Sequence, residues 1–402
     1  MHQFKTIYRY ELKKLLKRKL VWITFSVCIT LIIVMVIVQM TGSYYVEGKL
    51  IGSQYDLFLV DREYQRALSG RKIDQELLEE AVMAYRKIPS TPVHYMLTEE
   101  YQTYARPYSA IFYLILAWTD MDISSAISWE PDEKTLYDAR TKLLEADWQE
   151  LLLTETEKEF WRGKETELSS PLTYYFHKGY LMSLEALATI GVLMLMFVSI
   201  CLSSVFAEEH SRRTDQLVLS SAKGKRTVYW AKLLAGITVA VACSVLMAVI
   251  TVVPLLLIYG SEGFQTPLQL EFHTYSYPLT MGQACLIVYG ILIITAILMS
   301  VFEMVLSEAL HSSIAAMAIS TGLIIAGGAI SIPDQYRVMA QFWDCMPTSF
   351  LATWNVFSAR PITVFGHCAV SWQFVPVIYI LCCVVIAVAG RRVFERYQVT
   401  GR

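Results

Sequence analysis

Apolar residues gather into six long runs, at 20–40, 181–206, 233–259, 281–302, 313–332 and 373–390. About 20 consecutive apolar residues cross the ~30 Å hydrocarbon core as a helix, so the runs predict six membrane spans. Ahead of the first, residues 1–19 follow a helical period. Phe4, Tyr8, Leu12, Leu15, Leu16 and Leu20 share one side, and Lys5, Arg9, Lys13, Lys14, Lys17, Arg18 and Lys19 supply charge. That pattern predicts an amphipathic helix in the membrane interface, its basic stems reaching toward the headgroups. The end of the first run, Val38-Gln39-Met40-Thr41, offers no small-residue cleavage site, so the run reads as an uncleaved span.

Residues 41–180 carry helical periods too short to span. Asp74 is placed to cap a helix running to Ile88, with Leu77, Leu78, Ala81, Tyr85 and Ile88 on one face. A second helix after Pro131 should bury Leu136, Leu143, Leu144, Trp148, Leu151 and Leu152. Thr154 and Glu157 form a capping box for a third, which carries Phe160 and Trp161. The apolar segment from Tyr108 to Trp118 is shorter than a span and suits a buried core helix or an interfacial one. Tyr95, Tyr101, Tyr104, Tyr108 and Tyr113 fit helix packing and interface anchoring, with a recognition surface as the alternative. The fold class expected is an all-α polytopic membrane protein, six transmembrane helices with a helical extracytoplasmic domain between the first two.

Composition agrees: 55% of the 402 residues are hydrophobic and 17% charged, below the ~25% of soluble domains. The net charge of −2 hides an asymmetry, since residues 41–180 hold 24 acidic and 15 basic residues. Of the 19 basic residues elsewhere, 17 lie where alternating spans place the cytoplasm; Arg337 and Arg360 are the exceptions. Basic flanks mark the cytoplasmic side, so both termini are expected inside and residues 41–180 outside. Glu185 lies near the outer end of its run, at a depth that favours solvation. Glu303, Glu308 and His311 read as a tight inner turn after the fourth span. Ala316/Ser320 and Gly322/Ala326 are small-xxx-small steps suited to close helix approach.

Residues 207–232 are the one long polar segment between two long apolar runs that is rich in Lys and Arg. Thr214 to Ser221 can form a short amphipathic helix with Leu217, Val218 and Leu219 toward one side, and Gly224 breaks it. An ordinary solvated loop is the plain reading. The segment also resembles the cytoplasmic connection between spans two and three of type-2 ABC (ATP-binding-cassette) exporter permeases. Phe206, Ala207, Glu209, Thr214, Leu217, Leu219, Ser220, Ser221, Gly224, Arg226 and Lys232 carry that resemblance. It implies a coupling helix docking on a separate ATPase subunit, with Glu208, Glu209, Thr214, Leu217, Leu219 and Arg226 as contact residues. It further implies a homo- or heterodimer of permeases in a bacterial plasma membrane, with no cofactor. The aromatic and breaker-rich stretch 333–372 resembles the family's re-entrant outer helices, and 391–402 would be a cytoplasmic tail. The layout is similar to the permease subset with a large outer domain, linked to peptide-antibiotic resistance and sodium extrusion.

No Walker A loop is present: Lys223-Gly224-Lys225-Arg226 lacks the upstream Gly and the magnesium-binding hydroxyl. No HExxH, GxSxG, zinc or redox motif occurs, and no basic tract has the aromatic interleaving of nucleic-acid binders. His94, His177 and His273 read as isolated surface histidines. Six of the eight cysteines fall in apolar runs as packing residues, and Cys345 and Cys368 can pair if the compartment oxidises thiols. The leading function is therefore an exporter permease energised by a separate ATPase. A ligand-binding membrane receptor or immunity protein is the alternative, and a polytopic enzyme lacks converging His, Asp or Glu.

Overall fold

The computed structural model, which describes residues 2–88, 95–211, 224–364 and 367–396, turns the apolar runs into a helix bundle. Helix α1 (His2–Leu16) precedes α2 (Lys19–Val38). The second long run is built from α9 (Lys178–Glu185), α10 (Leu187–Leu202) and α11 (Ser204–Ser211), offset at Ala186 and Ser203. Then come α12 (Gly224–Tyr259), α13 (Met281–Leu310), α14 (Ser313–Ala329) and the last helix, α18 (Ser371–Arg396). Among the described residues, five helical stretches are long and apolar enough to cross a membrane. The remaining run, the fifth in chain order, forms α14 with 17 residues. At 1.5 Å per residue it reaches about 25 Å, short of a full hydrocarbon core. The protein is an all-α polytopic membrane protein.

Between α2 and α9 the chain forms the intervening domain. It opens on a hairpin the helical reading did not foresee, β1 (Ser43–Val46) with β2 (Lys49–Ser53). The helices follow: α3 (Gln54–Leu68), α4 (Gln75–Arg86), α5 (Ser109–Thr119), α6 (Ile123–Ser128), α7 (Glu133–Glu150) and α8 (Glu155–Glu165). Asp74 caps α4 by accepting from the Leu77 amide, and the Thr154/Glu157 capping box starts α8. Of the two alternatives for this segment, a buried core helix or an interfacial one, α5 is the buried core helix, with Ile111, Phe112, Ile115 and Trp118 inside. Tyr85 stacks on Phe112 at 3.6 Å, and Tyr95 and Tyr101 are buried beside it, so these tyrosines serve packing.

Leu152 departs from its expected buried face. Helix α7 ends at Glu150, Leu152 takes a left-handed φ of 56°, and its side chain is 52% exposed. The turn presents its carbonyl to Arg337 at 3.0 Å.

The domain is joined to the loops that follow α12 and α14. Arg66 pairs with Glu262, Arg140 donates to the Tyr275 carbonyl at 3.2 Å, and the Trp161 indole donates to the Ala359 carbonyl at 2.7 Å. The second loop holds α15 (Arg337–Asp344), two single turns, α16 (Pro347–Phe350) and α17 (Thr353–Val356), and a hairpin, β3 (Ile362–Val364) with β4 (His367–Ala369). Cys345 and Cys368 are free thiols. Cys368 shares its hairpin with Thr363, whose hydroxyl lies 3.5 Å from the sulfur.

Candidate functional site

The end of the bundle remote from the intervening domain carries both roots of the 206–234 stretch. Helix α11 leads into it and α12 leads out. Three rings from three helices meet there: Phe206 lies 5.6 Å from Tyr229 and 5.7 Å from Phe394, and Tyr229 lies 5.6 Å from Phe394. These separations suit edge-to-face and offset aromatic packing. The Tyr229 hydroxyl donates to the Ala387 carbonyl at 2.7 Å. Gly390 sits so close that a Cβ there would meet Val305 at 2.5 Å and Tyr229 Oη at 2.8 Å. Helices α11, α12, α13 and α18 are thus locked together where the stretch begins and ends.

Charge is buried in the same place. Lys232 is fully buried, its ammonium 5.1 Å from the centre of the Phe206 ring. Such a contact attracts through the negative ring face, more strongly when water is excluded. Glu303 and Glu308, expected in an exposed turn, instead lie inside α13, which runs on to Leu310, and both are buried. The turn itself shrinks to His311 and Ser312, with His311 at a φ of 52°. Ser320 lies beside Glu303 and 2.5 Å from the Ser199 hydroxyl, so the Ala316/Ser320 step faces the bundle. Gly322 faces open space, and Gly327 makes the close approach to Thr348 in its stead.

Of the residues expected to contact an ATPase, Glu208 lies in α11 with its carboxylate bound to Arg18, which also donates to the Ser204 hydroxyl at 2.6 Å. Glu208 therefore ties the root of the stretch to the junction of α1 and α2. Arg226 is exposed at the start of α12. The side chain of Glu209, and Thr214, Leu217 and Leu219, lie outside the described residues. Helix α1 is more than an interfacial rod: it packs along α12, with Leu15 and Glu11 buried and the Tyr8 hydroxyl 3.0 Å from Thr238. Sequence reasoning used Lys232 only as a flanking positive charge and missed Tyr229, Phe394 and the two buried carboxylates. An aromatic residue one or two turns from each root was the available signal.

Residues 5–397 match the model of the ABC-2 family transporter protein. This chain belongs to the ABC-2 transporter family. No curated protein sequence matches it. Membership makes it a multi-pass membrane component of an ABC transporter, its permease subunit.

At the opposite end, a cavity of about 790 Å3 separates the intervening domain from α9 and the end of α12. Tyr44, Phe58, Tyr101 and Tyr113 line it together with two charged clusters. On the domain side, Arg106 donates to Asp61 at 2.7 Å, Gln102 at 2.6 Å and the Leu57 carbonyl at 2.8 Å. On the bundle side, His177 Nε2 lies 2.8 Å from Glu271. Burial pushes the Glu271 carboxyl up, but the His177 hydrogen bond and the charges of His177, Lys178 and His273 outweigh it and hold the group below its ordinary value. His273 is pushed down by burial and lies 3.3 Å from the Trp118 indole nitrogen. Neither histidine is the isolated surface residue expected.

Proposed function

We propose that this permease exports its substrate by coupling a separate ATPase through the 207–232 segment. The observation that carries this reading is the rooting of that segment. Its two ends grow from α11 and α12, which the Phe206–Tyr229–Phe394 contact ties to α18, the close approach of Gly390 to Val305 and Tyr229 to α13, and the Arg18–Glu208 pair to the start of α2. A push delivered to the segment therefore moves a connected set of helices, which is what ATP-driven alternation between packed arrangements requires. Family membership supports an ABC ATPase as the partner. The domain-end cavity, with rings and both signs of charge, offers a lining suited to an amphipathic substrate. In this reading α14 completes six spans, both termini and 207–232 are cytoplasmic, and 41–180 stands outside a bacterial plasma membrane. Two permease copies, alike or different, pair in the complex.

The test acts on the segment itself. Leu217→Asp removes an apolar anchor and Glu209→Lys reverses a charge; burying one such anchor is worth about 1–3 kcal/mol, and rim charges less. Both variants should insert normally yet lose ATPase association in co-purification and lose partner-dependent ATP turnover. Full turnover with an intact complex in both would assign coupling elsewhere.

A further inference from the structure

A second cavity, of about 540 Å3, lies among α13, α14, α18 and the short helix α15. Its walls are hydrocarbon almost throughout, formed by Leu195, Leu298, Phe302, Leu323, Phe374 and Ile378 among others. Several lining residues belong at the same time to the outer apolar surface of the bundle. On α15, Val338 is 79% exposed and Phe342 is 71% exposed, and Leu323 and Ile378 are exposed on the spans. The cavity is thus continuous with the exposed apolar surface of α14, α15 and α18. Water gains nothing there, because an apolar cavity offers it no hydrogen-bond partners. Left empty, the walls would forfeit their dispersion contacts on one side. Hydrocarbon from the adjoining bilayer satisfies both conditions.

We propose that this crevice holds an acyl chain of a bilayer lipid, which enters between α14 and α18 under α15. Helix α15 is tethered on its other side. Arg337 pairs with Glu157 of the intervening domain and donates to the Leu152 carbonyl, and Gln341 donates to the Pro361 carbonyl at 3.4 Å. The helix roofing the crevice is therefore fastened to the intervening domain, so an occupant of the crevice and the pose of that domain act on one element.

The test uses the full-length protein in phosphatidylcholine vesicles doped with a phosphatidylcholine carrying a diazirine near the end of one acyl chain. After irradiation, adducts are located by peptide mass spectrometry. Lining positions Met299, Cys345 and Tyr379 should label severalfold above Val385, which lies on the exposed face of α18. Leu323→Trp, which fills the crevice, should lower labelling of the lining and leave Val385 unchanged. Labelling of the lining no greater than at Val385 in the wild-type protein would overturn the proposal, since ordinary annular lipid alone gives that result. This outcome is read without ATPase or nucleotide, so it leaves the coupling proposal standing.

Discussion

Glu157 does two jobs with one carboxylate. It closes the capping box of α8 through the Thr154 amide at 2.8 Å, it pairs with Arg337, and it is almost wholly buried while doing so. Burial raises its pKa, but the Arg337 and Thr154 hydrogen bonds outweigh that and lower it. A folded-state pKa below the unfolded one means stability that is present above about pH 4.3 and lost as pH falls through the folded value. Glu157→Ala should therefore cost about 3 kcal/mol at pH 7, because it leaves Arg337 without its partner. In acid denaturation series the gap between variant and wild type should close below about pH 4. Asp147 behaves oppositely. Burial and the neighbouring Glu150 carry its pKa up to about 6, against the smaller pull of Arg360. Its ionisation thus weakens the fold as pH rises from about 4 to 6. Asp147→Asn should stabilise the fold at pH 7.5 by about 1 kcal/mol after solvent screening, seen as a higher unfolding temperature, and change nothing at pH 3.5. The first of these residues was legible, because a Thr-x-x-Glu spacing is a local signal. The second was not, since its environment includes Arg360 and Asp334, which are remote from it in the chain.

At the scale of elements, helix starts were the easiest feature to read, for a cap needs only neighbours in the chain. Asp74 and Thr154 were found that way, while the equivalent boxes at Ser53/Asp56 and Thr280/Gln283 carry the same spacing and open α3 and α13. Helix ends were harder. The fourth run was expected to stop before Glu303, because a carboxylate looks like solvent, yet α13 continues to Leu310 with Glu303 and Glu308 buried. What decides this is the close packing of α13 against α18 and α12. Gly390 is a point of close approach, and Gly390→Ala should cost about 1–3 kcal/mol as Val305 or the Tyr229 hydroxyl is displaced. Thermal melts in detergent would show the loss. Coupled ATP turnover should fall further than stability alone explains, because the same contact joins α12 to α18.

For the whole molecule, charge and architecture reinforce each other. The two basic residues that broke the expected charge pattern are both answered by acids at the domain end: Arg337 by Glu157 and Arg360 by Asp334. Neither is a free positive charge of the kind that holds a loop in the cytoplasm. Impermeant thiol labelling of single cysteines placed at Ser69 and Ser221 should mark Ser69 in intact cells and spare Ser221; the reverse pattern would invert the proposed orientation. The intervening domain is also less separate than its length suggests. Leu144, Trp148 and Trp161 join the core of the bundle, whereas Leu77, Tyr85, Phe112 and Trp118 form a core of their own.

The amino-acid sequence by itself determined the apolar runs, their helical state, the first caps of the intervening domain and the family resemblance. All of these rest on periods and spacings that act within a few turns of chain. Tertiary structure decided which charges are buried. Lys232 over Phe206, Glu303 beside Ser320 and His177 against Glu271 each depend on a partner from another helix or loop. It also decided that Tyr229 and Phe394 meet Phe206, that Gly327 rather than Gly322 makes the close approach, and that a hydrocarbon crevice opens beneath α15. A side chain's burial is set by what packs across from it, and spacing along one helix carries no record of its neighbours.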